Sequence, residues 1–219
     1  MEILNIDESF IVCIKPAGVI SEGDGENALP SLLCAYLAKI GEKNTSVFPV
    51  HRLDKETSGV MVFARSSASA AVISQDVREG KLIKEYLAVI HGTPEARRDT
   101  LSDLLFFDRS KVKSFIVTKE RKGVKRAVLD YELIDSRDGL SLLKIRLQTG
   151  RTHQIRAQFS FRKLPLAGDR RYGAPKDTCG ELALLSHRLT FLHPVTREAL
   201  TFIASVPTAF PWSSFEYGE

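Results

Sequence analysis

The chain has 219 residues, of which 43% are hydrophobic and 26% are charged, and its formal net charge is +4. This length predicts one compact domain over residues 1–219 rather than two. No apolar run approaches membrane-spanning length, and the acidic N-terminus lacks the basic and apolar regions of a secretory signal, so we expect a cytoplasmic protein without membrane contact.

Short strands and a few helices follow one another along the chain. Apolar spacing and turn residues predict strands over 10–14, 59–64, 84–91, 123–135, 140–148, 182–192 and 200–205, and helices over 28–40, 67–78 and about 152–162. Asn27 is the predicted N-cap of the first helix, and Gly41 is its predicted stop. Because helices do not alternate strictly with strands, we expect an α+β fold with a mixed, mostly antiparallel sheet flanked by helices.

Lysine and arginine are concentrated in two segments. Residues 109–126 contain eight Lys and Arg against one Glu, and residues 151–171 contain six against one Asp, so the rest of the chain is net negative. Such segregation suits a surface that meets a polyanion, because each cation near a phosphate releases condensed counterions. Charge alone leaves open that these segments are merely solvated loops.

Cysteines and histidines give no sign of a metal site. Cys13, Cys34 and Cys179 lie far apart and form no CxxC pair, which predicts reduced thiols, mostly in the core. The five histidines lack metal-ligand spacing, and no Gly-rich phosphate loop or dinucleotide fingerprint occurs. We therefore assign no metal and expect no cofactor.

One polar loop carries the clearest candidate for chemistry. In the stretch PVHRLDKETSGVMVFAR, Asp54 follows His51-Arg52-Leu53 and precedes Thr57-Ser58-Gly59, between Val50 and an apolar strand. Loops held by rigid elements are where catalytic groups concentrate. The spacing alone is equally consistent with a surface carboxylate paired with Arg52 or Lys55.

The segment HRLDKETSG resembles the HRLD-x-x-T-S-G signature of RluA-type pseudouridine synthases, which isomerise uridine in RNA. The resemblance implies the pseudouridine synthase fold and the role of catalytic carboxylate for Asp54. It also implies that Arg52 holds the target base out of the RNA stack. Thr57, in the same motif, is expected to bind substrate.

Further segments resemble the same family along most of the chain. They are DESFIVCIKPAGVIS, the strand Lys84–Val89, LQTGRTHQIR, AGDRRYG and LLSHRLTFLHP. The resemblance makes Tyr86 an active-site tyrosine, Arg156 the partner of the catalytic carboxylate, and Arg151 and His153 substrate-binding residues. Because the KPAG turn begins at Lys15, we expect a minimal form without the N-terminal RNA-binding appendage of many relatives. Without the resemblance, core packing is the better explanation of Tyr86, and a salt bridge on the helix surface explains Arg151 as well as RNA contact does.

These residue types suit the implied reaction. A fixed carboxylate can add to an electron-poor anomeric carbon or stabilise its charge, as in glycoside cleavage. A guanidinium in contact keeps such a carboxylate ionised, and a tyrosine offers a stacking face and a phenol for proton transfer. The backbone amides of 149–152 are candidates for phosphate binding at a helix start.

Two other classes of function stay open. An RNA chaperone or assembly factor would keep the basic surface without using Asp54, and a nucleoside hydrolase would also need a carboxylate near the sugar. A deaminase would need a zinc pattern that the sequence lacks. The expected substrate is structured rRNA or tRNA, and we expect a monomer with no obligate protein partner.

Overall fold

The computed structural model describes residues 1–176 and 180–217, so Cys179 lies outside the described residues. The described helices are α1 (Leu29–Lys39), α2 (Ser67–Arg78) and α3 (Gln154–Phe161). The described strands are β1 (Glu2–Ile6), β2 (Phe10–Lys15), β3 (Phe48–Pro49), β4 (Ser58–Ala64), β5 (Ile83–His91), β6 (Arg98–Asp108), β7 (Lys113–Val117), β8 (Val124–Arg137), β9 (Leu140–Leu147), β10 (Leu184–Leu192) and β11 (Ala199–Ile203). Short 3₁₀ helices occur at Arg170–Tyr172 and Trp212–Ser214.

The first of two compact units contains Met1–Lys84 and Ser186–Ser205. Its strands follow the order β1-β2-β4-β10, with β3 paired to β4 and β11 paired to β10. The β1–β2, β2–β4 and β10–β11 pairs are antiparallel. The core is built from the apolar strands β2 and β4 and the inner faces of α1 and α2, where side chains such as Ile11, Leu33, Phe63 and Ile73 have no exposed surface.

The second unit comprises the described residues of Glu85–Leu185 and Val206–Glu219. Its strands follow the order β5-β9-β8-β6-β7, and every neighbouring pair in that order is antiparallel. Helix α3 packs on one face of these strands, where Ala157 and Tyr172 meet Leu105 of β6 and Ala127 of β8. The sequence predicts a single domain over residues 1–219. The division into two compact units does not test whether the chain folds as one domain, so this stays a prediction.

Gly59 sets how closely β4 approaches β10. Its φ is +122°, and a Cβ built on it would lie 2.3 Å from the backbone oxygen of Ser186. The Ser186 hydroxyl also donates to the Val60 carbonyl at 3.1 Å. Only glycine fits this position, because any side chain would collide with backbone that cannot move independently.

The α+β prediction is confirmed, and so are the predicted strands and helices, with ends that shift by one or two residues. The N-cap prediction is wrong: Ala28 is the N-cap of α1 and makes no side-chain capping bond. Two features explain this difference. Ala28 is drawn into a bridge with Ile20, and Pro30 in the first turn has no N–H to cap.

Four strands were not predicted from the sequence, namely β1, β3, β6 and β7. Cys13 and Cys34 are free thiols, and Cys13 is buried in β2, where burial raises its pKa to about 12. Within the described residues, no helix is long and apolar enough to cross a membrane.

Candidate functional site

Asp54 lies on the loop that leads into β4, and the backbone on both sides of it is pinned. The Leu53 N–H donates to the Ser21 hydroxyl at 3.1 Å, and that hydroxyl donates to the Leu53 carbonyl. The Asp54 carbonyl accepts the Thr57 N–H at 3.1 Å, and the Lys55 carbonyl accepts the Gly18 N–H at 2.8 Å. Asp54 is a half-buried residue, so its carboxylate stands on a backbone that is fixed and only partly covered by the protein.

Lys15 supports this loop from beneath. Its side chain has no exposed surface, and its ammonium group donates to the carbonyls of Pro16 at 2.8 Å, Val19 at 2.8 Å and Lys55 at 3.0 Å. Burial lowers the pKa of Lys15 to about 8, while the nearby charges of Asp54 and Glu56 act to raise it. From the sequence, Lys15 was predicted only to begin a turn. The KPAG segment, which resembles that of the family, was the one signal of its structural role.

His51 fixes the start of the loop against β4. Its Nε2 accepts the Val62 N–H at 3.1 Å, so the ring carries its proton on Nδ1. Burial and the charge of Lys84 lower the pKa of His51 to about 3. The imidazole is therefore neutral at working pH, which suits a structural role.

Arg52 and Thr57 lie on the same loop in different environments. Arg52 is exposed, and its Nη1 lies 2.6 Å from Oε1 of Glu22. Thr57 is buried, and among residues 1–176 and 180–217 its hydroxyl finds no hydrogen-bond partner. The loop therefore exposes the long cationic side chain of Arg52 to solvent and buries the hydroxyl group of Thr57.

Arg156 is held by a buried carboxylate in the second unit. Its Nε lies 2.7 Å from Oδ2 of Asp169 and its Nη2 lies 2.9 Å from Oδ1, a two-bonded fork between side chains that are almost fully buried. The guanidinium carbon lies 5.1 Å from the centre of the Tyr172 ring. Sequence reasoning assigned no role to Asp169, although it lies in the AGDRRYG segment.

His153 turns the chain into α3. It is the N-cap of that helix and adopts a left-handed conformation with φ +53°. Its Nδ1 lies 3.1 Å from the Tyr172 hydroxyl, and its ring packs edge-on against Phe107. A left-handed histidine is uncommon and is maintained only by surrounding contacts, here those with Tyr172 and Phe107.

Two of the four backbone amides of residues 149–152, predicted as candidates for phosphate binding, are already occupied. The Thr149 N–H donates to the Val128 carbonyl at 3.1 Å, and the Arg151 N–H donates to Oε1 of Gln154 at 3.0 Å. The proposed phosphate-binding role of these two amides is wrong, because protein acceptors already occupy them. The helix itself begins at Gln154, two residues later than predicted.

The two basic segments come together in space. Arg151 Nε donates to the Arg126 carbonyl at 3.0 Å, Lys113 Nζ donates to the Arg171 carbonyl at 2.6 Å, and Arg171 Nη1 donates to the Val112 carbonyl at 2.8 Å. The two basic segments therefore contact each other through Arg126 and Arg151, and through residues 112–113 and Arg171.

The predicted site residues fall into two groups. Arg52, Asp54 and Thr57 share one loop of the first unit, whereas Tyr86, Arg151, His153 and Arg156 belong to the second unit. Tyr86 lies on β5 opposite Ile145 and is 4% exposed. Across the described ranges, no three His, Cys, Asp or Glu side chains are placed to bind a metal ion. What the first group can offer chemically is a carboxylate on a rigid loop beside a buried cation.

Comparison with known proteins places this chain among RNA-modifying enzymes. The family model described as RNA pseudouridylate synthase matches residues 9–161. The uncharacterized RNA pseudouridine synthase YhcT of Bacillus subtilis is 32% identical over 213 residues, which cover 94% of this chain and 69% of that protein. Ribosomal large subunit pseudouridine synthase D of Zymomonas mobilis is 32% identical over 222 residues, covering 94% of this chain and 69% of that protein.

A solved structure shares the fold. Human RNA Pseudouridylate Synthase Domain Containing 4 superposes with a TM-score of 0.81, covering 97% of this chain and 91% of that chain. The sequence identity is 24%, so this likeness concerns the fold.

Proposed function

The chain belongs to the RNA pseudouridylate synthase family, and on that premise we propose that Asp54 is the carboxylate with which it isomerises uridine within RNA. As an RNA pseudouridine synthase it is an isomerase. One observation carries the assignment of Asp54: this carboxylate stands in the HRLDKETSG motif on a loop whose backbone is hydrogen-bonded at residues 53, 54 and 55.

The reaction needs a group that acts on the sugar. The bond from the anomeric carbon to N1 of uracil breaks, the base rotates, and a bond from the same carbon to C5 forms. C5 loses its proton and N1 gains one, so no redox partner or energy source is required. Asp54 adds to the anomeric carbon or stabilises its positive charge while the base turns.

Tyr86 and Arg156 complete the proposed catalytic set. Arg156 keeps the Asp54 carboxylate ionised, which matters because burial would otherwise favour the protonated form. Its fixed orientation supports this role, since the Asp169 fork immobilises the guanidinium through Nε and Nη2. Tyr86 provides an aromatic face for the displaced uracil and a phenol for moving the C5 proton.

RNA recognition is proposed for four further residues. The target uridine leaves the stack at a cost of a few kcal/mol, which protein contacts must offset. Exposed Arg52 supports the displaced base, while Thr57, His153 and Arg151 contribute to substrate binding. Relatives named for the ribosomal large subunit make rRNA the first substrate to test, and tRNA the second.

The test is pseudouridine formation in transcripts of large-subunit rRNA and of tRNA, measured by mass spectrometry. We expect Asp54→Asn to lower the rate at least about a thousandfold, as loss of a nucleophile does. Glu56→Gln, two residues away on the same loop, is the matched control and should keep most of the activity. Wild-type rates in Asp54→Asn would refute the catalytic assignment.

The same experiment separates the other classes of function. Release of free uracil would identify a hydrolase. RNA binding by the wild type without pseudouridine in any transcript would favour a chaperone.

A further inference from the structure

An apolar and basic surface lies on the strands of the second unit, on the face opposite α3. Side chains alternate along a strand, so Leu105 of β6 and Ala127 of β8 point to α3 while their neighbours point the other way. These neighbours define what we call the aromatic–basic face: Leu104, Phe106, Phe115, Val117, Val124 and Arg126. The first five are only half-buried, and Arg126 is exposed.

Two phenylalanines at the centre of this face hold cations. Phe106 and Phe115 are directly opposite each other across β6 and β7. The guanidinium carbon of Arg121 lies 4.6 Å from the centre of the Phe106 ring, and the ammonium groups of Lys111 and Lys113 each lie 5.7 Å from that of Phe115. Such contacts restrain long side chains that would otherwise be free.

The turn before β8 is shaped to bring Arg121 onto the ring. The Val124 N–H donates to the Arg121 carbonyl at 3.0 Å, which closes the turn through Gly123 at φ +88°. A Cβ on Gly123 would lie 3.5 Å from the Phe106 ring, so the ring packs directly over this glycine. The position of Arg121 is therefore built into the fold.

Within the described residues, three cations of the turn before β8 are not paired with a carboxylate, unlike other exposed cations in the same unit. Arg98 pairs with Glu132, and Arg137 pairs with Asp135. In the described part of the chain, by contrast, Lys119, Arg121 and Lys122 form no ion pair with a carboxylate. Arg121 is held over the Phe106 ring and lacks an anion, so it is ready to bind one.

We propose that the aromatic–basic face is an RNA-binding surface, on which Phe106 orients Arg121 and Phe115 orients Lys111 toward backbone phosphates. This inference rests on the proposed function for the identity of the polyanion. Fixing the cations in the free protein lowers the entropy lost on binding, which is how the rings contribute to affinity. Because cations already lie over the two rings, we expect the face to bind phosphates rather than to stack on bases.

The experiment measures binding of a fluorescently labelled RNA stem-loop by full-length protein across a range of KCl concentrations. Arg121→Gln should weaken binding and reduce the slope of log K against log salt by about 0.7 to 0.9, the loss of one phosphate contact. Phe106→Leu keeps every charge, so the slope should change little while affinity falls about two- to fivefold. Thermal melting checks that each variant is folded.

A double variant separates orientation of Arg121 from a general effect on the fold. If Phe106 acts through Arg121, adding Phe106→Leu to Arg121→Gln causes no further loss of affinity. Arg137→Gln and Phe161→Leu are the controls, because they make the same changes at a paired arginine and at an exposed phenylalanine of α3. Additive losses would overturn the orienting role of Phe106.

Unchanged affinity and slope in both Arg121→Gln and Phe106→Leu would exclude RNA from this face and favour a protein partner there. Pseudouridine formation by the same variants would then still support the proposed function. Its absence in the wild type would instead refute that function, so the two failures are distinguishable.

Discussion

Asp169 holds Arg156 in a buried fork, with Oδ2 2.7 Å from Nε and Oδ1 2.9 Å from Nη2. The two side chains are 1% and 3% exposed, so almost no solvent screens the pair. Charge-assisted, two-bonded pairs fix both distance and plane, which a single contact does not. The orientation of the arginine proposed to act in catalysis is therefore set by a carboxylate outside the proposed catalytic set.

We expect Asp169→Asn to destabilise the protein by about 3 to 5 kcal/mol, the cost of leaving a buried charge without its partner. The asparagine amide replaces one acceptor oxygen with a donor that faces the guanidinium. Urea unfolding, followed by the midpoint and slope of the transition, measures this change. The rate of pseudouridine formation should fall as well, because the guanidinium loses its fixed plane.

Asp103→Asn is the matched control for Asp169→Asn. Asp103 makes a similar fork to Arg162, at 3.0 Å and 3.2 Å, but the side chain of Arg162 is 31% exposed. Solvent screening reduces the value of that pair, so we expect a loss of about 1 kcal/mol. Equal losses of unfolding free energy in the two variants would show that burial does not make the Asp169–Arg156 pair more stabilising than the Asp103–Arg162 pair.

Lys15→Met should cost about 3 kcal/mol of unfolding free energy, because three carbonyls lose their donor inside the protein. The methionine fills much of the same volume, so the change isolates hydrogen bonding and charge from packing. Lys81→Met, at an exposed lysine, should shift the urea midpoint very little. A loss in Lys15→Met as small as in Lys81→Met would mean that the loop carbonyls find water instead.

Lys15 should also make stability depend on pH above neutrality. Its pKa in the folded protein is about 8, below the ordinary value of 10.5, so the unfolded chain binds more protons between these two pH values. The free energy of unfolding contributed by Lys15 therefore rises as pH increases through this window. Urea unfolding at several pH values should show a steeper rise in wild type than in Lys15→Met; parallel curves would contradict the lowered pKa.

The sequence predicted the elements whose side chains alternate or repeat clearly. Strand β9 was found because its apolar residues alternate with charged ones, and strand β4 because it is a continuous apolar run after a polar loop. Strands β6 and β7 were missed because one of their faces carries charges and half-exposed aromatics, which break the apolar period. β6 pairs with β7 across a short turn and with β8 farther along the chain, and strand formation depends on such cross-strand packing more than on local preference.

For the site, motif resemblance supplied Asp54 and Arg156, whereas the residues that support them emerged only from geometry. The local sequence does not indicate that the Lys15 ammonium donates to the carbonyl of Lys55, or that Asp169 binds Arg156 through both carboxylate oxygens. Such contacts join residues from separate elements, and one chain without aligned relatives does not reveal them. The bond from the Arg151 amide to Gln154 is local, but it depends on the conformation of the Gln154 side chain, which the sequence does not specify.

Gly59→Ala should disrupt the first unit, because the new methyl group would lie 2.3 Å from the oxygen and 2.6 Å from the nitrogen of Ser186. Both are backbone atoms of β10, so β4 would have to move away from its neighbour, at a cost above about 4 kcal/mol. Gly139→Ala is the control: its φ is also positive, at +76°, but nothing lies within 4 Å of the added carbon. That variant bears only backbone strain, about 1 kcal/mol. Thermal melting of the soluble fraction, with its yield, compares the two; similar melting temperatures would show that β4 and β10 tolerate a wider separation.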